Sequence, residues 1–370
     1  MIQTSTVLNK ALSLSALVLR LIATLDVYAA TPQGPKPAKI TYQHVATIEL
    51  DRNLDVQLLR VDRGGNLYVV AASGELNSTL EKFAPSGRHL LSVDFEPVVG
   101  TSDVSIYDLF IARDGRLYVL AAWSPPDERD VRFGVLIFNR QARFLGLVDL
   151  TPYPIFTPTR TPMLAVDSGG SLYLLGLLRR GRRLEDQLVT NNTVHKFSPS
   201  GKWIASFSPL TDEFRPEHYL DAEAFQALLI DSQDRLHHIY LSGAAIRTYT
   251  SDGRLLKEYR LKLSSVPAQG TTVAGRAMPK RHYFGSFTWG HRLVLSLGET
   301  LASGRSQIYT LVVDPFEGSE MVTSVAYPTL PATTIGLDGY AYSSLPVRVV
   351  NTGRMSYPIL KQRLVINNTK

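Results

Sequence analysis

Apolar residues fall along the chain in short runs of about four to eight, each broken by a polar or glycine-bearing turn, a spacing that predicts strands rather than helices. VDRGGNLYVVA (61–71) is one such unit: a run ending in Val-Asp, a double glycine, then a second run rich in Leu, Tyr and Val. IARDGRLYVLA (111–121) and VDSGGSLYLLG (166–176) repeat it closely. IDSQDRLHHIY (230–240), FTWGHRLVLSL (287–297) and IGLDGYAYSSL (335–345) are more diverged copies. Leu67, Leu117, Leu172, Leu236, Leu293 and Ala341 occupy the same place in the six copies, at intervals of roughly 50 to 65 residues. Both runs of each hairpin are more uniformly apolar than alternating, as strands covered on two faces require.

A second hairpin follows each of the first ones. TLEKFAPSGRHLLSVDF (79–95), VLIFNRQARFLGLVDL (135–150), TVHKFSPSGKWIASF (193–207) and IRTYTSDGRLLKEYRL (246–261) share the form strand, turn, strand. IYTLVVDPFEGSEMVTSV (308–325) is a fifth, and VRVVNTGRMSYPIL (347–360) stands where a sixth is needed, although Pro358 argues against a central strand there. Six units of four antiparallel strands, each sheet apolar on both faces, predict an all-β fold, a six-bladed β-propeller. HVATIEL (44–50) has the character of an outermost strand with no unit of its own. It is expected to pair into the last blade and close the ring; residues 359–366 compete for that place.

The unit VDSGGSLYLLG…NNTVHKFSPSGKWIASF is similar to an NHL-type repeat, with its Val-Asp, glycine, aromatic and Phe-x-Pro-Ser-Gly landmarks. The resemblance runs over about residues 44–360 and is strongest in the first three units. It implies a six-bladed propeller of the NHL kind and no particular activity, because that superfamily has none in common.

Composition fixes the chain's class and suggests its address. Hydrophobic residues make up 44% and charged residues 19% of the 370, which suits a globular chain with a sizeable core. There is no cysteine, so disulfides, thiol nucleophiles and thiolate metal sites are excluded. Lys10, the apolar stretch Ala11–Leu25 and Val27-Tyr28-Ala29 read as an export signal over residues 1–29, followed by a Pro-rich leader at 30–42 and one propeller domain at 43–370. The expected location is secreted or periplasmic in a bacterium, with no transmembrane anchor and a monomeric state. A formal charge of +6 permits anionic partners such as phosphorylated or uronate-bearing glycans, or a membrane surface. No nucleic-acid-binding motif is present, and nucleic acid is not an expected partner.

The repeat also sorts the loops. If the innermost strand comes first, both kinds of tight turn lie at one end of the propeller, and the long connections 123–133, 151–162, 177–192, 209–225 and 262–283 lie at the other. Long loops on one end of a rigid scaffold are where function usually sits. The candidate binding residues there are His282 before blade five, Tyr107 and Asp108 in blade two, Thr161 at blade three, Asp221 and Glu223 before blade four, and the basic Arg179, Arg180 and Arg281. The recurrent Asp62, Asp167 and Asp231 are expected to cap their turns by bonding local backbone amides, and no metal is assigned to them. No Walker loop, dinucleotide fingerprint, metalloprotease helix or Gly-x-Ser-x-Gly elbow occurs.

Two functions remain. The first is a non-catalytic module that binds a protein, peptide or glycan on the long-loop end, without a cofactor. The alternative is a hydrolase or lyase, lactonase-like or amidating-lyase-like by analogy of fold alone, with a divalent metal or a His/carboxylate site at the channel mouth. The absence of a catalytic signature favours the first.

Overall fold

The computed structural model describes residues 39–52, 54–72, 78–125, 131–153, 155–156, 163–180, 186–210, 226–240, 245–261, 271–273, 276–278, 281–300, 306–324, 333–344, 347–348, 355–356 and 358–367. They form six four-stranded antiparallel sheets arranged as a six-bladed β-propeller. Blade one is Val56–Val61, Leu67–Ala72, Ser78–Phe83 and His89–Val93. Blade two is Val104–Ile111, Leu117–Trp123, Arg132–Phe138 and Phe144–Asp149. Blade three is Leu164–Val166, Leu172–Leu175, Asn192–Phe197 and Trp203–Pro209. Blade four is Gln226–Ile230, Leu236–Tyr240, Ala245–Tyr249 and Leu255–Arg260. Blade five is Arg281–Trp289, Arg292–Thr300, Ser306–Asp314 and Ser319–Ser324. No helix among the described residues is long and apolar enough to cross a membrane.

Blade six is assembled from both ends of the chain. Thr334–Ile335, Ala341–Ser344 and Ile359–Asn367 are its first three strands, and Lys39–Ile48 is the outermost. The N-terminal segment therefore closes the ring, as its isolated strand pattern suggested, and it starts at Lys39, inside the segment read as a leader. The sixth hairpin differs from the expectation. Val347–Arg348 and Met355–Ser356 form a small separate hairpin, and Pro358 sits just outside the strand that begins at Ile359. A proline has no amide to give to a central ladder, so the third strand starts after it.

The second strands run from Leu67, Leu117, Leu172, Leu236 and Ala341, and every one of these residues is fully buried, as is Leu293 in blade five. Apolar clusters form where blades face one another: blades one and two share one, blades two to four a second, and blades six and one a third. Side chains on both faces of the second strands are thus removed from water, which explains their uniformly apolar runs.

The tight turns all lie at one end, and their residues hold neighbouring blades together. Asp62, Asp167 and Asp231 cap their turns, each Oδ1 accepting backbone N–H groups of the residues that follow. Oδ2 of the same carboxylates takes the Tyr173 hydroxyl at 2.8 Å in blade three and faces His237 Nε2 at 3.2 Å in blade four. Lys82 and Lys196, beside the corresponding tyrosines, reach the next blade and donate to the carbonyls of Arg140 and Ser251, both at 2.8 Å. The outer turns dock backwards. Gly87 has φ +86°, and a Cβ there would collide with the Glu49 carbonyl beside the closing strand. Gly253, at φ +88°, presses in the same way on Phe207 of blade three. Glycine is required at these two sites both for the left-handed backbone and for the close approach.

Candidate functional site

At the opposite end, the innermost strands of blades one, two and five each carry a bulge, between Val56 and Leu58, Ile106 and Asp108, and Tyr283 and Gly285. An extra residue in a strand re-aims the side chains around it. In blade two the extra residue is Tyr107, whose ring packs edge-on against Phe133 at 6.0 Å. Asp108, next along, is buried at 1% exposure.

Asp108 joins three blades. Its Oδ1 accepts Arg60 Nη2 of blade one at 2.8 Å and its own neighbour's amide, Leu109 N, at 2.8 Å. Its Oδ2 accepts the amides of Met163 and Leu164 of blade three at 2.7 and 3.0 Å. Four donors occupy the four lone-pair directions of the carboxylate. The Arg60 guanidinium is held in place as well, with Nε on the Leu109 carbonyl at 2.9 Å and Nη1 on that of Leu59 at 3.0 Å. Asp108 therefore acts as a clamp between blades, and none of its oxygen positions is left for a metal or a substrate proton. Arg60 was not singled out in the sequence. The signal was present, since a cation inside the apolar strand VQLLRV needs a buried anion.

Between blades three and four lies a second buried polar group. His238 is fully buried, with Nδ1 facing the Ser208 hydroxyl at 2.6 Å and Nε2 facing Gln226 Oε1 at 2.8 Å. Gln226 opens the innermost strand of blade four, and its Nε2 is buried without a hydrogen-bond partner among the described residues. Ser208 adopts φ +63°, a backbone state uncommon for a residue with a side chain. The Tyr240 hydroxyl lies 3.3 Å from both Ser208 Oγ and Thr193 Oγ1, and its ring sits 3.9 Å from the His238 imidazole, centroid to centroid. Burial holds the His238 imidazole well below the usual histidine range. His195, in the third strand of blade three, is lowered to about 4 for the same reason, with Nε2 on the Gly176 carbonyl and Nδ1 on Ser206. Both rings are neutral packing elements at pH 7.

The arginine segment is partly ordered by an added ladder. Ile155–Phe156 pairs with Leu177–Leu178, and Arg179 bridges Leu188 across the same turn. Arg180 N donates to the Gln187 carbonyl at 2.9 Å, and Arg179 Nη1 to that of Asp186 at 2.6 Å. Arg179 is buried by this arrangement, whereas Arg180 stays exposed. His282 and Arg281 fall in the innermost strand of blade five, opposite Gly298 and Glu299, and their side chains are outside the described set. Thr161, Asp221 and Glu223 lie outside the described residues altogether. Among the described residues no group of three or more His, Asp or Glu is placed to hold a metal ion.

No family model matches the chain, and no curated protein matches it either. Solved structures similar to it include a member of the DUF4221 family from Bacteroides vulgatus, at 9% identity and TM-score 0.49, covering 90% of this chain and 100% of that one. Virginiamycin B lyase from Staphylococcus aureus is similar at 10% identity and TM-score 0.43, over 88% of this chain and 100% of the lyase. Aldose sugar dehydrogenase from Streptomyces coelicolor is similar at 12% identity and TM-score 0.47, over 89% and 99%. At these levels no substrate and no residue role transfers to this chain.

Replacing Asp108 with Ala leaves the Arg60 guanidinium and two blade-three amides without their acceptor. A loss of about 3 kcal/mol in unfolding free energy is expected, measured by urea denaturation; a change below half a kcal/mol contradicts the clamp. The buried histidines give a pH dependence whose sign is fixed. The folded state keeps His195 neutral down to about 4, whereas the unfolded chain takes up the proton near 6.5. Stability therefore falls as pH drops from about 6.5 towards 4, by about 2 kcal/mol between pH 7 and pH 5 for this ring. The corresponding part of the slope should be absent from His195→Gln.

Proposed function

We propose that the protein is a non-catalytic binding propeller that holds an anionic segment of a protein, peptide or glycan at its long-connection end. The observation that carries this reading is the ladder under Arg179 and Arg180. A loop rich in arginine pays conformational entropy when it closes on a ligand. Here the backbone of Arg180 is already fixed through Gln187, and its side chain remains in water. An exposed guanidinium on an ordered backbone is suited to carboxylate or phosphate, which it can engage with two parallel N–H donors.

The clamp described above supports the same reading, since Asp108 is committed to its four donors and serves the scaffold. The hydrolase alternative has one observation on its side, the contact of Ser208 with His238 and of His238 with Gln226. Both the hydroxyl and the imidazole are fully buried, and the hydroxyl also lies against Tyr240. Such burial suits a packed core better than a nucleophile meeting substrate.

The test is binding of the purified protein to immobilised polygalacturonate and to an acidic peptide, read by interferometry. Binding to at least one, weakened about tenfold by Arg180→Glu, supports the proposal. Absence of binding to both, or an unchanged affinity in the variant, contradicts it. Turnover of a lactone or ester that disappears in Ser208→Ala would favour the hydrolase instead.

A further inference from the structure

The outer turns of blades one to four are followed by a recurring surface feature that neither the ring nor the long loops use. Each turn ends in a basic residue, and two bulky side chains come next, all apolar except His89: Arg88-His89-Leu90, Arg143-Phe144-Leu145, Lys202-Trp203-Ile204 and Arg254-Leu255-Leu256. The register is the same in all four. His89, Phe144, Trp203 and Leu255 stand opposite the buried Phe83, Phe138, Phe197 and Tyr249, each beside a bulge in the outer hairpin. The inner member of every pair is in the core; Phe144, Trp203 and Leu255 meet water, whereas His89 is half-covered and paired with Glu81. Leu145, Ile204 and Leu255 are at least half exposed, at 55%, 54% and 50%, and Phe144 and Leu90 at 42% and 41%.

Single exposed apolar residues need no explanation, but a row of seven at equivalent positions of four consecutive blades does. Outermost strands are the edges of their sheets, where polar or charged residues normally guard against association. The charge of the row is also one-sided. The four turns 84–88, 139–143, 198–202 and 250–254 hold Arg88, Arg140, Arg143, Lys202 and Arg254 against one acid, Asp252. Blade five breaks the pattern: its turn contains Asp314 and Glu317 and no basic residue.

We infer that this rim is a peripheral membrane contact, in which the apolar side chains enter the headgroup layer of an anionic phospholipid surface and the arginines and lysine bind its phosphates. Three features favour a lipid surface over a compact protein partner. First, the anchors lie at the same end of four blades, along one rim, so a flat surface meets them together. Second, the turns at that end are short, and nothing described there projects to hold a plane away. Third, the Trp203 indole N–H already donates to the Ala205 carbonyl at 3.1 Å, so its ring enters an apolar layer without an unmet donor. Basic residues flanking aromatic and aliphatic side chains are what an anionic interface selects. The rim is at the opposite end of the blades from Arg180, so the long-connection end stays free for its own ligand.

The experiment is cosedimentation of the full chain with phosphatidylglycerol–phosphatidylcholine vesicles in about equal parts, with pure phosphatidylcholine vesicles as control. Binding to the anionic vesicles alone, weakened by salt and accompanied by a blue shift of tryptophan emission, is the expected result. Arg143→Glu combined with Lys202→Glu should weaken it by about tenfold or more. Phe144→Ser combined with Ile204→Ser should abolish the emission shift, with thermal melts confirming that both variants are folded. Arg180→Glu should leave vesicle binding unchanged, which separates this contact from the long-connection end. Failure to sediment with anionic vesicles, equal sedimentation with both kinds, or indifference to both double variants overturns the proposal. Tight binding to polyglutamate without vesicle binding overturns it in favour of an acidic protein partner.

Discussion

The structure depends on the antiparallel ladder between Lys39–Ile48 and Ile359–Asn367. Its register runs from Lys39 opposite Asn367 to Ile48 opposite Ile359, with one shift at His44/Ala46. Five blades are built from contiguous chain, and each can form its own ladders locally. Blade six cannot, because its outermost strand is separated from the other three by nearly the whole sequence. Closing so long a loop costs entropy that only the ladder and its burial can offset. Once formed, it removes the edge of Ile359–Asn367 and places Ile48 in the core shared by blades six and one. Gly87 of blade one then packs directly against the Glu49 carbonyl just beyond that strand.

The two ends of the ring answer to different requirements. At the short-turn end the same contacts recur: an aspartate caps a turn, a tyrosine or histidine meets its second oxygen, and a lysine crosses to the next blade. These contacts fix the pitch of the ring and are repeated because the blades are. At the long-connection end the described side-chain contacts differ from blade to blade. Blade one supplies Arg60, blade two Asp108, and blade three offers two amides in return; blades three and four share Ser208, His238 and Gln226. Such irregular, buried polar groups tie particular blades together and set the frame on which the long segments are carried.

Much of the fold was legible in the sequence because its determinants are local. The turn glycines, the leucines opening the second strands and the capping aspartates declare themselves within ten residues of one another. Blade four shows the tolerance of that code: Asp234 takes the left-handed position held elsewhere by glycine, at φ +57°, and the repeat reads as degraded there although the turn is intact. Blade six was harder. The hairpin at 347–360 has the right look for an outer pair, yet its place is filled by strands from both termini. The polar clamps were less legible still. Asp108 was noticed as a polar residue near the channel mouth, but its role depends on Arg60, 48 residues earlier, and on Met163, 55 residues later. No local pattern couples such positions. His238 and Ser208 likewise meet only because blades three and four are neighbours in the ring.

Ring closure as the controlling constraint is tested most directly by native-state hydrogen exchange, resolved by residue. If the closing ladder holds the ring, the amides of Lys39–Ile48 and Ile359–Asn367 that lie inside it exchange only with global unfolding. They then share one opening free energy with the buried second strand of blade one, Leu67–Ala72. Exchange of the closing-strand amides through a separate, low-energy opening that leaves Leu67–Ala72 protected would contradict the account, because the ring would then persist with its last blade undone.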